Sequence, residues 1–195
     1  MVYVLDKDGV FECRKSRVQG AGMGVFCVGN VKAGTILPYY GITIKDDDDD
    51  DGNVRCSRED YRTYVVSADY TNRSGNQRTV GGYSVDGDPS LPATQQLDSF
   101  KKLACRTNEA SDGFAPNCLL VSNPAISRAD IRRSFVEHSP MPVTFIVTVE
   151  DLKKGTELLT CYGDEYGDRG YTPSKMKRNR FREMIDKAYK HVDAI

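Results

Sequence analysis

Short apolar stretches alternate with turn-forming residues along the first half of the chain. The stretches are rich in Val, Ile, Phe and Tyr, and Gly, Asp and Asn lie between most of them; they occupy residues 2–5, 10–13, 24–28, 35–40, 64–67 and 82–85. β-Branched and aromatic residues favour strands, whereas Gly, Asp and Asn favour turns. The pattern therefore predicts a series of hairpins, with one or two helical turns at 58–64 and a loop at 70–79.

The second half combines two strong strands with helical patterns. Val and Ile are concentrated at 118–122 and 142–149, which predicts two strands, and residues 94–105 have the spacing of a short helix. Near the end, Thr172 is an N-cap candidate and Pro173 suits the first helical position; apolar residues then recur at helical spacing up to Tyr189. The predicted class is mostly β, a β-rich α+β fold with a C-terminal helix.

Charge is balanced overall and uneven locally. The 195 residues contain 27 Lys and Arg against 28 Asp and Glu, so the chain is not a polycation and wholesale binding of nucleic acid is disfavoured. Six consecutive aspartates at 46–51, followed by Gly52, predict a solvated acidic loop at 46–52 that could attract a basic peptide. Residues 173–195 hold seven Lys or Arg against three acids, so the predicted helix has a basic polar face.

The sequence favours an intracellular protein without a membrane span or a metal site. No apolar run approaches the roughly 18 residues that a span requires, and Asp6 and Lys7 interrupt any signal-like start. The six cysteines form no C-x-x-C pair, and the histidines are only His138 and His191, so we expect reduced thiols and no zinc. The aspartate run has a calcium-loop spacing at its start, but Arg58 stands where that loop needs a bidentate Glu.

A glycine cluster at Gly20, Gly22 and Gly24 invites comparison with a dinucleotide-binding fingerprint. That fingerprint needs G-x-G-x-x-G at the opening of a helix, whereas Val25 stands where the third glycine is required and a strand-like stretch follows. The cluster instead predicts a tight turn at which bare backbone comes close to another group.

Four segments, taken in order, resemble the motifs of the SET domain, the fold of most protein-lysine methyltransferases. They are the glycine-containing stretch 14–26, the Y-x-G motif at 39–41, the stretch 108–118 in place of N-H-S-C-x-P-N, and 155–163 in place of G-E-E-L-T-x-D-Y-G. The tail 162–167 is similar to the PR-domain branch. The chain departs from the family at Glu109 and Ala110, which replace His and Ser, at the extra residues 111–114, and in having no cysteine after Cys161 for a zinc-binding post-SET segment.

The resemblance implies a fold of short sheets with a pseudoknot, formed by residues 1–167, and a segment at 168–195 that closes a lysine channel. It implies S-adenosylmethionine as the cofactor and methyl transfer to a protein lysine, with Tyr162 as the catalytic tyrosine and Tyr39 lining the channel. The expected cofactor contacts are Gly22, Met23, Gly24, Arg106, Asn108, Glu109, Tyr162 and, against the adenine, Tyr166. Thr160 stands where relatives carry the aromatic residue that limits methylation number, so di- or trimethylation is expected.

Two other functions stay open at the level of sequence. A catalytically idle SET-like module would bind basic peptides through the acidic loop, and cofactor binding would separate it from an enzyme. A nucleic-acid adaptor would use the cations Lys175, Lys177, Arg178, Arg180 and Arg182, although such helices are usually solvated faces, and the same run is compatible with a nuclear address. A histone tail is the expected protein substrate, and the nucleus the expected location.

Overall fold

The computed structural model describes residues 9–45, 47–48, 54–55, 65–71, 77–111, 113–162 and 172–192. Its strands are β1 (Phe11–Lys15), β2 (Met23–Cys27), β3 (Ile36–Lys45), β4 (Asp47–Asp48), β5 (Val54–Arg55), β6 (Val65–Thr71), β7 (Gln77–Asp86), β8 (Asn108–Glu109), β9 (Cys118–Ser122), β10 (Met141–Thr148) and β11 (Leu159–Thr160). Its helices are α1 (Pro92–Gln95), α2 (Arg128–Glu137) and α3 (Arg178–Val192), and two 3₁₀ turns lie at Ser99–Lys102 and Ala104–Arg106. Within these ranges no helix is long and apolar enough to cross a membrane.

Most of the sheets are short. The largest has five strands in the order β6–β7–β3–β10–β9, and three two-stranded sheets pair β1 with β2, β11 with β8 and β4 with β5. The β11–β8 pair is parallel, whereas β1–β2 and β4–β5 are antiparallel. The predicted class, a β-rich α+β fold of short sheets with a C-terminal helix, is confirmed.

The chain folds as two compact units, each assembled from separate stretches of sequence. The first unit comprises residues 1–37, 106–121 and 145–195, and the second comprises 38–105 and 122–144. The boundary that we predicted at 167/168 falls outside the described residues and stays a prediction.

Helix α3 is part of the core of the first unit. Met184, Ala188 and Val192 are buried on one face of the helix, and they pack with apolar residues of β9 and β10 and their neighbours, namely Ile36, Leu119, Val121, Phe145, Val147 and Val149. A stripe of apolar residues at helical spacing needs such a surface to be buried against. The predicted helix exists, and it is a structural layer of this unit.

The predicted start of that helix is wrong. Pro173 forms an isolated antiparallel bridge with Ser111, and the Ser174 N–H donates to the Ala110 carbonyl at 2.9 Å. Pro173 and Ser174 therefore pair with residues 110–111, and the helix begins at Arg178. A proline at a helix start is only a local preference, and strand-like hydrogen bonds to a distant loop outweigh it here.

The second unit contains a hairpin where the sequence suggested a loop. Strands β6 and β7 pair antiparallel from Val65↔Asp86 to Thr71↔Gln77, so the part of our predicted 70–79 loop that is described belongs to strands. Cross-strand backbone bonds stabilise these polar residues in strands although they lack alternating hydrophobicity. In the acidic stretch, Asp47–Asp48 pairs with Val54–Arg55. Residues 2–5, 46, 49–53 and 58–64, which carry other predictions, lie outside the described residues.

Helix α2 was not predicted, although its start signal is present in the sequence. Ser127 is the N-cap: its hydroxyl accepts from the Asp130 N–H, and the Asp130 carboxylate accepts from the Ser127 N–H at 3.0 Å. This reciprocal capping box satisfies two backbone donors that the first turn leaves without partners. The predicted helix at 94–105 is broken into α1 and the two 3₁₀ turns.

Candidate functional site

The glycine cluster forms the turn that joins β1 to β2. Gly20 and Gly22 have φ values of +81° and +69°, in the left-handed region that favours glycine, and the Ser16 N–H donates to the Gly22 carbonyl at 2.9 Å. Among the described residues, a Cβ at Gly22 would meet no atom within 4 Å apart from its chain neighbours. The predicted tight turn is therefore present, and bare backbone at Gly22 borders open space.

Glu157 fastens this hairpin to the segment that leads into β11. The buried carboxylate accepts from the Ser16 hydroxyl at 2.6 Å and from the Arg17 N–H at 2.9 Å. It fills the space beside Gly24, so that any side chain at position 24 would overlap Glu157 Oε1. Glu157 belongs to the motif at 155–163, and the sequence assigned it no role; its signal is a charged residue directly before two leucines.

The parallel pair β8–β11 brings the two remaining motifs together. Leu159 is opposite Asn108, and Thr160 is opposite Glu109. The Asn108 side-chain amide donates to the Met23 carbonyl at 2.9 Å, which joins this pair to the glycine turn. Asn108, Met23 and Gly24 are thus neighbours, as the sequence analysis grouped them.

Asn117 holds the β11 segment from the other side. Its side-chain amide donates to the Glu157 carbonyl at 2.8 Å, and its side-chain oxygen accepts from the Leu159 N–H at 3.0 Å. Because the residue is buried, losing it would leave both backbone groups without partners in the core. The sequence analysis did not include Asn117 among the site residues.

Tyr162 is held at two points by the chain around β8. Its N–H donates to the buried Glu109 carboxylate at 3.0 Å, and its phenolic hydroxyl donates to the Thr107 carbonyl at 2.7 Å. Backbone and side chain are therefore both oriented by one three-residue stretch. The Glu109 side chain, which the sequence analysis did not use, is what orients the tyrosine backbone.

Two buried hydroxyls beside Tyr162 lack hydrogen-bond partners. They belong to Thr107 and Thr160, and neither oxygen has a donor or acceptor within the part of the chain that the structure describes. Buried polar atoms are nearly always paired in folded proteins, with protein, water or a bound molecule. The region around Tyr162 therefore has polar groups to offer to a small molecule.

Arg106 lies at the end of a 3₁₀ turn, just before Thr107, and its positive charge acts on the Cys13 thiol in β1. Burial raises the pKa of the Cys13 thiol, and the nearby Arg106 guanidinium partly offsets that rise. Arg106 therefore supplies positive charge to the first unit, next to the stretch that orients Tyr162.

Tyr39 belongs to the second unit, where its ring lies against Gly87: a Cβ at Gly87 would come within 2.7 Å of the Tyr39 hydroxyl oxygen. Tyr39 is nearly fully buried. Tyr166 lies outside the described residues. Of the predicted site residues, the structure brings Gly22, Met23, Gly24, Asn108, Glu109 and Tyr162 together through the contacts above.

Cysteines and other metal-binding side chains do not cluster in this region. Cys13, Cys27, Cys105, Cys118 and Cys161 are free thiols. Among the residues with described positions, no group of three or more His, Cys, Asp or Glu side chains is arranged to hold a metal ion.

Comparisons with known proteins give one named structural neighbour. No protein-family model matches the chain, and no curated protein sequence does. Among 142 matching chains of solved structure is a Plasmodium falciparum protein described as a candidate histone methyltransferase. It is 15% identical, the match covers 81% of this chain and 96% of that chain, and the TM-score is 0.42.

Proposed function

We propose that this chain is an S-adenosylmethionine-dependent protein-lysine N-methyltransferase. The observation that carries the proposal is the double anchoring of Tyr162, through its N–H to Glu109 and through its hydroxyl to Thr107. The same β8 stretch reaches the glycine turn through Asn108. These hydrogen bonds thus link the oriented Tyr162 to the backbone of the glycine turn.

The residues present fit the cofactor. When bound, it supplies a methyl group on a sulfonium centre whose leaving group is a neutral thioether. Gly22, Met23 and Gly24 would hold its methionine portion by backbone contact, and Asn108 would keep that backbone in place through its bond to Met23. Arg106 would contribute a guanidinium, which suits a carboxylate. The open space at Gly22 and the unpartnered Thr107 and Thr160 hydroxyls are the features of this structure that support the assignment.

Alignment is the main catalytic task of the protein in this reaction. Holding two reactants in a productive geometry supplies on the order of 7–11 kcal/mol. Because the Tyr162 hydroxyl donates its proton to the Thr107 carbonyl, its oxygen would act toward the substrate amine as an acceptor of an N–H. Tyr162 would therefore orient the amine nitrogen while the glycine turn positions the methyl donor.

The substrate lysine must also lose its proton. With an ordinary pKa near 10.4, neutralising it at pH 7.4 costs about 4 kcal/mol. A neighbouring positive charge and an apolar channel both favour the neutral amine. We propose that the proton leaves to water along the channel.

Thr160 supports transfer of two or three methyl groups. It lies two residues before Tyr162, it is fully buried, and its side chain is small, so it leaves room for a methylated amine. Mass spectrometry of a product peptide under excess cofactor is expected to show di- and trimethyl-lysine. A reaction that stops at monomethyl-lysine would contradict this role.

The proposed substrate is a basic, lysine-containing protein tail of the histone type, and the proposed location is the nucleus. The test is incubation with isotopically labelled S-adenosylmethionine and core histones over pH 7–9, followed by a peptide array to locate the modified lysine. Labelling of protein supports the proposal. Failure to label, with no cofactor binding by calorimetry, would overturn it in favour of an idle module that binds basic peptides.

A further inference from the structure

Two arginines on the β1–β2 hairpin converge on a single backbone carbonyl. Arg14 Nη2 and Arg17 Nη2 lie 3.3 Å and 2.9 Å from the Gly155 carbonyl oxygen. Both guanidinium groups also lie over the Phe26 ring, at 3.9 Å and 5.6 Å from its centroid. Each guanidinium has five N–H donors, so one shared carbonyl leaves most of them available.

Two lysines on the same turn add to this charge. Lys153 and Lys154 directly precede Gly155 and are exposed. We call Arg14, Arg17, Lys153 and Lys154 the Gly155 cluster. All four belong to the first unit, and the contacts to Gly155 and Phe26 fix the positions of its two arginines.

Acidic side chains do not balance the Gly155 cluster. Glu12 lies 3.7 Å from Arg14 as a loose surface pair, and Asp151 pairs with Lys32 at 2.6 Å instead of with the cluster. Among the described residues, Arg17, Lys153 and Lys154 have no ion-pair partner. The Glu157 carboxylate accepts from the Arg17 N–H but is buried, so the exposed side chains of the four cations can still meet an external anion.

We infer that the Gly155 cluster is a binding surface for the phosphate backbone of a nucleic acid. Guanidinium groups match phosphate oxygens in geometry, and lysine serves phosphate as a point charge. Four cations around one turn suit a polymer that carries a phosphate about every 3.4 Å of duplex axis along each strand. Successive side chains of an extended acidic peptide point to opposite sides, so its carboxylates would face one surface only about every 6.6 Å.

The experiment measures binding of the full chain to a short, mixed-sequence DNA duplex by fluorescence anisotropy over a salt series, without cofactor. The quadruple variant R14Q/R17Q/K153Q/K154Q is expected to lose at least about tenfold in affinity at low salt. Its slope of log K against log salt is expected to fall in magnitude by about 3 to 4, because each of the four phosphate contacts contributes about 0.9. The matched control K175Q/K177Q/R178Q/R180Q changes the net charge equally on the C-terminal segment and should bind within about threefold of the parent.

The outcomes separate the alternatives. Equal losses in both variants, or a loss confined to the C-terminal control, would overturn the assignment. If poly-glutamate binds the parent as tightly as the duplex does, and the quadruple variant loses this binding, the surface is a site for an acidic protein and not for a nucleic acid. If the quadruple variant is less stable to heat, the double variant K153Q/K154Q replaces it, because both positions are exposed. This double variant should lower the slope of log K against log salt by about 2. None of these readouts depends on methyl transfer.

Discussion

The hydroxyl of Tyr162 donates to the carbonyl oxygen of Thr107 at 2.7 Å. Thr107 directly precedes the Asn108 that contacts the glycine turn, so the phenol and the turn are positioned by consecutive residues. A contact between residues 55 positions apart thus links two segments that resemble separate family motifs.

Replacing Tyr162 by Phe should remove most methyl transfer and leave cofactor binding nearly unchanged. The ring is retained, and the variant lacks the oxygen that would orient the amine; loss of one such polar contact typically lowers turnover about 100-fold or more. Turnover with core histones and cofactor affinity by calorimetry are the measurements. Tyr83→Phe is the matched control and should keep full turnover, because Tyr83 lies in the second unit, where its ring packs edge to face with Phe135. Unchanged turnover in the Tyr162 variant would refute its role.

Gly22→Ala and Gly20→Ala form a matched pair that tests the cofactor turn. Both glycines have positive φ, and neither added Cβ would come within 4 Å of another described residue beyond its chain neighbours, so each variant should lose about 1–2 kcal/mol of unfolding free energy. Only Gly22→Ala should also weaken cofactor binding, because only that methyl group would enter the space proposed for the cofactor. Calorimetry on both variants checks this. Equal affinities for the two would contradict the placement.

Gly24→Ala should destabilise the fold through its clash with Glu157. The added methyl group would overlap a buried carboxylate that is already bonded to Ser16 and Arg17, and such overpacking costs about 1–3 kcal/mol. Urea unfolding followed by circular dichroism gives the change. Gly29→Ala, where a Cβ meets nothing within 4 Å and φ is not positive, should stay within about 0.5 kcal/mol of the parent.

Met184→Ala tests whether helix α3 is part of the core. Met184 is 4% exposed and packs against β9 and β10, so truncation should cost about 2–5 kcal/mol. Val136→Ala on helix α2 is the comparison, because Val136 is 74% exposed and its loss should cost less than about 0.5 kcal/mol. Similar midpoints for the two variants in thermal unfolding would mean that α3 is an appendage.

The capping box of α2 should be visible in a pH titration. Hydrogen bonds from Ser127, aided by Arg133, lower the pKa of Asp130 below its ordinary value of 3.8. A lowered folded-state pKa contributes stability that is present above pH 3.8 and is lost as the pH falls through the folded value. Ser127→Ala should move the Asp130 pKa, measured by NMR, back toward 3.8 and cost about 1 kcal/mol at neutral pH. An unchanged Asp130 pKa would show that the cap does not hold the carboxylate.

Local patterns determined a large part of this fold. β-Branched and aromatic stretches predicted most of the described strands, with β9 recovered at its observed bounds, because strand preference depends on side chains that are close together in the chain. The glycine cluster was recognised as a turn for the same local reason. Helix α2, by contrast, was missed although Ser127 and Asp130 carry its signal, because its apolar face is narrow, with Ile131 the only apolar residue among its buried positions.

What the sequence by itself determined is the β-rich class, the C-terminal helix and a set of candidate residues around Gly22, Asn108 and Tyr162. The tertiary structure alone decided which groups face each other: the Glu157 carboxylate meets Ser16 from 141 positions away, and Ser174 meets Ala110, which moves the start of α3 to Arg178. The physical reason is that a buried polar group must find a partner wherever the packed chain places one, and sequence separation does not constrain that choice.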